Sequence, residues 1–309
     1  MARLGRNSKV GFVGAGTVGT SLAVALSRNG YSVIAAASRT FSSARALAEA
    51  VPGCVAYPAA GEAAQASDVV FITCPDDTIA PVASSIAWRP SQGVVHCSGA
   101  ASLDVLVQAV EQGAVAGAFH PLQAFSSVEN GVKSIPGTTF GIEGNEEMRA
   151  YLASMASAIG GNPISLKSED KPLYHLSGVM LGGLLSALAA VSAQLWEQFG
   201  MRRADGVKAL APMMRQVSVN LETSGVPGAM AGPYIRGDIG TILKHLEALQ
   251  LRAPEVLPLY CELALAGLPF ALEKGTLKPE RGEEIRRLVE KYRRKAAVNA
   301  GASGPSVEV

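Results

Sequence analysis

The sequence predicts a doubly wound, parallel α/β sheet followed by an all-helical region, and three observations predict it. A glycine turn, Gly14-Ala15-Gly16-Thr17-Val18-Gly19, stands between an apolar run and an alanine- and leucine-rich segment of helical spacing. Short apolar runs then alternate with alanine-rich helical segments up to about residue 166, and from Ser168 onward strand patterns stop. With 309 residues, 48% of them hydrophobic, the chain can build two cores more readily than one. The expected division is a nucleotide-binding domain over 1–167, a helical substrate and dimerisation domain over 168–296, and a flexible tail over 297–309.

The elements follow in order. Val10 to Val13 is the first strand, the glycine turn leads into the first helix, and Tyr31 to Ala37 is the second strand. Further strands are expected over Asp68 to Thr73, Val94 to Cys97 and Val115 to Phe119. Thr138 to Ile142 and Pro163 to Leu166 bracket a helix that Asn145 could cap, which carries the sheet to its edge. The helical region reads as stretches of about 169–199, 203–221 and 238–267, then a charged segment from Glu283 to Lys295.

Composition narrows the function classes. A formal charge of +1 gives no general attraction for nucleic acid or anionic lipid, so small ligands, neutral or held by local charge, are expected. The start, MARLGRNSK, has no apolar core of a signal peptide, and a cytoplasmic protein is expected. Cys54, Cys74, Cys97 and Cys261 lack paired spacing and read as buried thiols; no metal-binding pattern is present in the sequence. Leu176 to Trp196 contains no charged residue and is long enough to span a bilayer, yet Gly178, Gly182, Gly183 and Gln194 favour a central helix buried within the domain or a homodimer.

In the glycine turn, Gly14 permits the tight bend, Gly16 lets backbone approach a pyrophosphate, and Gly19 lets helix pack on strand, with the anion at the helix N-terminus. Strand, turn, helix and second strand supply the context a dinucleotide motif requires, so Gly14, Ala15, Gly16, Thr17, Val18 and Gly19 are candidate cofactor contacts. The second strand ends in Ser38-Arg39-Thr40, without the carboxylate that would accept from the ribose of NAD and repel a 2′-phosphate. NADP is the cofactor those three residues fit, against the alternative that Arg39 is an ordinary surface arginine.

Ligands in such sheets bind at the carboxyl ends of strands. There the sequence places Cys74-Pro75-Asp76-Asp77, expected beside the cofactor ribose, although either aspartate could instead cap the next helix. It also places Ser98 after the fifth strand, and His120 and Gln123 in His120-Pro121-Leu122-Gln123 after the sixth, whereas His96 reads as structural. At the start of the long helix, Lys171 and His175 are four apart and share a face, suited to stabilising an alkoxide or moving a proton. A solvated lysine at a helix start is the alternative. Arg236, in Gly232-Pro233-Tyr234-Ile235-Arg236-Gly237-Asp238, could clamp an anionic group, with Asp238 as a helix cap.

The order of GAGTVG, SRT, CPDD, HCSGA, HPLQAF, DKPLYH and GPYIRGD, over roughly residues 8–275, resembles a bacterial family that joins a Rossmann-like NADP-binding domain to a C-terminal domain of unknown function. More distantly the chain is similar to the 6-phosphogluconate and β-hydroxyacid dehydrogenases, ketopantoate reductase, prephenate dehydrogenase and pyrroline-5-carboxylate reductase. That resemblance implies hydride transfer in an interdomain cleft and a helical domain that dimerises. Lys171 falls where the hydroxyacid dehydrogenases place a catalytic lysine, but their asparagine one turn later is here His175. His120-Pro121 and Ser98 resemble substrate-site residues of prephenate dehydrogenases.

The expected function is therefore an NADP-dependent oxidoreductase acting on a small polar, anionic keto or hydroxy substrate. Lys171 and His120 would handle the proton, Ser98 and His175 orient the reacting oxygen, and Arg236 and Gln123 bind substrate. An NADP-binding sensor or scaffold without catalysis is the alternative from another class, followed by an NADPH-dependent reductase of a deazaflavin coenzyme.

Overall fold

The computed structural model describes residues 4–302, with side chains described up to residue 296. Contacts divide the chain into two compact units, one ending at Leu184 and the other beginning at Leu185. The tail expected over 297–309 lies, from residue 303 on, outside the described residues.

The first unit is built on one eight-stranded sheet. Its strands are β1 (Lys9–Val13), β2 (Ser32–Ala37), β3 (Val55–Tyr57), β4 (Val69–Ile72), β5 (Gly93–His96), β6 (Val115–Pro121), β7 (Thr139–Gly144) and β8 (Asn162–Ser165), in the order β3-β2-β1-β4-β5-β6-β7-β8. Order 3-2-1-4-5-6 is that of a dinucleotide-binding sheet, with its reversal at β1. The helices α1 (Thr17–Arg28), α2 (Phe41–Ala50), α3 (Ala60–Ala66), α4 (Asp76–Ser84), α5 (Val107–Glu111), α6 (Val128–Ser134), α7 (Glu146–Ala158) and α8 (Lys171–Leu181) connect and flank the strands. Asn145 caps α7 by accepting from the Met148 amide at 2.9 Å.

The sheet is parallel except between β6 and β7, which run antiparallel. The doubly wound parallel sheet expected from the sequence is present; its one antiparallel pair lies where the link carries only the seven-residue α6, which packs on α1: a side chain at Gly131 would strike Ser21. The chain consequently re-enters the sheet at the end it left. Strand β3 has no counterpart among the expected runs, being a three-residue edge strand.

Alternation along the strands makes a core on each face. On one, Phe12, Phe71, Phe119 and Phe140 form a fully buried row whose successive ring centroids lie 5.2, 5.8 and 4.6 Å apart. Each such ring contributes about 1.5–3 kcal/mol by burial. On the other face, Val13, Val70, Ile72 and Val94 pack with Ile79 of α4 and Leu106.

The second unit is helical: α9 (Gly183–Gln194), whose first two residues belong to the first unit, α10 (Arg203–Gly228), α11 (Pro233–Arg236), α12 (Ile239–Arg252), α13 (Leu257–Glu273) and α14 (Pro279–Ala302). Its core places Ile242, Leu246 and Leu249, one face of α12, against Cys261 and Leu268 of α13 and Ile285 and Val289 of α14. The stretch expected over 238–267 is two helices, because Pro254 drives Ala253 out of the helical region (φ −150°, ψ 59°). The stretch expected over 169–199 breaks at Gly182-Gly183, where two residues without Cβ remove the resistance to bending. Within a single copy of the chain that segment is not buried: among the described residues of α8 and α9, only Lys171 and Ala193 are buried, and Leu173, Met180 and Leu181 are exposed. An 18-residue window within Ser168–Phe199 has a mean hydropathy of 1.8, so that span is long and apolar enough to cross a membrane by length and composition.

Candidate active site

The glycine turn closes at the carboxyl end of β1. Gly14 has φ +112°, and a Cβ there would lie 2.7 Å from the Thr73 carbonyl carbon; the Thr73 hydroxyl donates to the Gly14 carbonyl at 2.5 Å. A Cβ at Gly19 would lie 2.4 Å from the Gly14 oxygen, so helix and turn touch only because glycine stands there. A Cβ at Gly16 would meet nothing within 4 Å. That residue begins α1, whose first turn has neither a side-chain cap nor an acidic residue, leaving its amides and positive dipole end for an anion. Ala15, Thr17 and Val18 complete this half-buried cradle.

Beyond β2, Ser38 is half-buried and Arg39 and Thr40 are exposed at the start of α2, with no carboxylate among them. Cys74 and Pro75 follow β4 in the loop that Thr73 pins to the glycine turn. Asp76 and Asp77 open α4, but neither caps it by a side-chain hydrogen bond. Asp76 instead accepts from the Ser98 hydroxyl at 2.6 Å. Ser98 Oγ also accepts from the amides of Ala100 and Ala101, at 3.3 and 3.0 Å, so this hydroxyl secures the loop after β5.

His120 lies inside the last turn of pairing of β6 rather than after the strand, since β6 runs through Pro121. Its register partner on β7 is Gly141, whose bare Cα admits Tyr174: a Cβ would stand 2.9 Å from the phenol. Tyr174 Oη lies 3.0 Å from His120 Nδ1, and the His120 and His175 rings meet edge to face with centroids 5.6 Å apart. Gly99 faces both: a side chain there would come within 2.5 Å of His175 Cδ2 and 2.7 Å of His120 Nε2. The two imidazoles occupy a place that only glycine leaves open.

Lys171 is 1% exposed. It is not a solvated lysine; its ammonium pairs with Glu143 Oε2 at 3.4 Å, on the same face of β7 as Gly141. Glu143 in turn accepts from the Ser168 hydroxyl. Burial lowers the lysine's proton affinity, opposed chiefly by the charge of Glu143 and then by that of Asp76. Burial, with the proximity of His175 and Lys171 adding to it, pushes His120 down to about 4, so its imidazole is neutral near pH 7. His96, beneath it and fully buried, is pushed down to about 3 by burial and by Lys171. Burial pushes the Tyr174 phenol up to about 12, which keeps it protonated.

Ser98, His120, Lys171 and His175 therefore gather at one edge of the first unit, joined by three residues the sequence reading gave no catalytic part: Asp76, Glu143 and Tyr174. Gln123 is exposed and turned to its own loop, donating to Ser134 and Thr138 and accepting from the Ala124 amide. Arg236 belongs to the second unit, exposed at the end of α11, where Gly237 adopts φ +69°; Asp238 caps α12 through the Thr241 amide and hydroxyl. Of the cysteines, Cys261 is buried, whereas Cys54, Cys74 and Cys97 are half-buried, and all four are free.

Residues 2–121 match the model of a Rossmann-like domain, and residues 138–266 match that of a domain of unknown function, DUF2520. The chain joins a Rossmann-like domain to a DUF2520 domain. No curated protein matches it significantly. Among solved structures, a Thermotoga maritima protein, TM1727, is 25% identical, with a TM-score of 0.68 over 85% of this chain and 99% of that one. A Bacteroides fragilis protein provisionally described as an NADP oxidoreductase is 24% identical, with a TM-score of 0.64 over 84% and 97%. The imine reductase of a Pseudomonas species is 22% identical, with a TM-score of 0.54 over 80% and 88%. All three share the fold of this Rossmann-like and DUF2520 chain.

Proposed function

We propose that this chain is an NADP-dependent oxidoreductase that moves hydride between NADP(H) and a small polar substrate with a reducible carbonyl. One observation carries the reading: the open glycine turn and the His120–Tyr174 pair stand at the same carboxyl edge of one sheet. The residues fit NADP. Gly16 leaves room for a pyrophosphate, α1 offers uncapped amides, and Ser38, Arg39 and Thr40 offer a guanidinium and two hydroxyls where an acid would exclude a 2′-phosphate. When bound, the nicotinamide supplies or accepts hydride.

The chain's own part is the proton. In this reading the protonated phenol gives its single O–H to His120 Nδ1, at 3.0 Å against 3.4 Å to the His120 carbonyl, which assigns the remaining imidazole proton to Nε2, facing the space beside Gly99. As a carbonyl oxygen gains charge, Nε2–H donates to it and then yields its proton, while Nδ1 takes the Tyr174 proton; solvent restores the tyrosine. The imidazole thus stays neutral throughout. His175 flanks the same space, and the enclosed Lys171 acts as a fixed positive charge that opposes an imidazolium and favours the developing oxyanion.

Calorimetric titration of nucleotide-free protein with NADPH and NADH tests the cofactor. Arg39→Ala is expected to cost about 1.5–3 kcal/mol of NADPH affinity, the worth of a charge-assisted contact, and to leave NADH unchanged. If neither nucleotide binds, the reading falls. A panel of keto acids and cyclic imines, followed by NADPH oxidation, then finds the substrate; imines enter because of the imine reductase neighbour. Binding without turnover, and Lys171→Arg and His120→Asn without effect on any oxidation, would favour a sensor, a reading supported by the enclosure of Lys171 in its ion pair. The exposed apolar side chains of α8 are proposed to be covered by a second copy of the chain; a monomer in sedimentation would remove that proposal.

A further inference from the structure

We propose that Glu143, pinned by Ser168, is the positioning residue of Lys171: it fixes the ammonium behind His120 and keeps it charged inside the unit. The inference rests on the reading that the cluster at β6, β7 and α8 is a reaction centre, and it concerns a residue for which the motifs give no signal.

Four geometric facts carry it. Glu143 is 8% exposed and is the one charged residue on a strand that otherwise holds Thr139, glycines and apolar residues, so its burial has no packing purpose that an apolar residue would not serve better. Its two oxygens are divided: Oε1 accepts from Ser168, on the segment leading into α8, and Oε2 meets Lys171, the first residue of that helix. Neither Lys171 Nζ nor Glu143 Oε2 makes a hydrogen bond beyond that ion pair. Strand and helix are also in step. Gly141 and Glu143, two apart on β7, face Tyr174 and Lys171, three apart on α8, so the placement of lysine and tyrosine comes from one strand face.

The groups that face Lys171 from the surrounding elements are Glu143 on β7, Asp76 on α4, His96 on β5, Cys97 after β5 and His120 on β6. His96 and His120 are neutral near pH 7 and the half-buried Cys97 keeps its thiol proton, its affinity raised by desolvation, so Glu143 and Asp76 are the negative charges, and Asp76 is engaged with Ser98. Removing Glu143's charge leaves burial to act on the lysine with little opposition. The ammonium would then lose its proton at a lower pH, and the fixed charge behind His120 with it.

The test is NMR titration of the full chain carrying isotope-labelled lysine, with the Lys171 resonance identified by its loss in Lys171→Arg. Glu143→Gln is expected to lower the Lys171 midpoint, weakening proton binding roughly 10- to 1,000-fold, the usual effect of one adjacent opposite charge. Glu143→Asp should recover part of that loss, and Ser168→Ala should move the midpoint in the same direction by less. A Glu143→Gln protein that folds with an unmoved midpoint overturns the inference, as does Glu143→Asp behaving like Glu143→Gln. If Glu143→Gln fails to fold, Ser168→Ala and Glu143→Asp decide, and an unmoved midpoint in both overturns it. The readout needs no substrate. A midpoint that moves while Lys171→Arg leaves turnover intact therefore removes the lysine from the reaction and keeps Glu143's role, whereas an unmoved midpoint with lost turnover does the reverse.

Discussion

The glycine turn after β1 and the cluster at β6, β7 and α8 occupy the same edge of one sheet, yet they are made of different material. The turn is backbone: its requirements are a positive φ at Gly14, a contact at Gly19 with no room for a methyl group, and open space at Gly16. The cluster is side chains, with Lys171, Glu143, His120 and Tyr174 brought together from three elements and enclosed. A backbone site costs little to desolvate and can wait open for an anion. A buried ionic site is stable only while every partner is present.

The largest effect expected from that difference is on the ion pair. Lys171→Met strands a buried carboxylate and is expected to cost about 3–5 kcal/mol in urea denaturation, as the loss of one partner from a buried pair does. Lys171→Met combined with Glu143→Leu, which removes both charges, should recover much of it. Single substitutions costing under about 1 kcal/mol would show that water reaches the pair, and the contrast between enclosed cluster and open turn would collapse.

Acid sharpens the contrast at a smaller scale. His96 and His120 take up protons near 6.5 when the chain is unfolded but only at about 3 and about 4 when it is folded. Between those values the unfolded chain binds more protons, so stability is complete above pH 6.5 and falls as pH drops toward 4. The loss should be on the order of 2 to 3 kcal/mol per histidine. His120→Asn should flatten the slope of stability against pH in that window, while Arg39→Ala, outside the cluster, should leave it alone. An unchanged slope in His120→Asn would mean that the imidazole is already solvated.

What was legible in the sequence divides along the same line. The turn could be read because each glycine answers a local requirement within six residues, and Asn145 and Asp238 could be read as caps for the same reason. Lys171, His120 and His175 could be suspected from residue type and spacing, but their partners could not. Glu143 stands at the end of an apolar strand, and only the antiparallel return of β7, set by the short α6, turns it toward α8. Asp76 reads locally as a helix cap and is taken by Ser98, 22 residues away. One signal was available in retrospect: Gly141 and Glu143 alternate with Phe140 and Ile142, a strand face with space and charge where the opposite face is apolar.

The smallest effects separate the two uses of glycine within the turn itself. Gly19→Ala places a methyl 2.4 Å from both the Gly14 carbonyl oxygen and the Thr73 hydroxyl, and the carbonyl belongs to a turn that cannot retreat without breaking its bond to Thr73. It should cost about 1–3 kcal/mol of stability with or without nucleotide, the usual penalty of overpacking. Gly16→Ala puts its methyl into open space, at a φ of −80° that alanine accepts, so stability should change by less than about 1 kcal/mol. The space it fills is the space proposed for the pyrophosphate, and NADPH affinity should fall roughly tenfold or more, the loss of one charge-assisted contact. Both glycines look alike in the motif. If Gly16→Ala binds NADPH as the parent chain does, the open face of the turn is not where the phosphates lie, and the cofactor must be sought elsewhere on the edge.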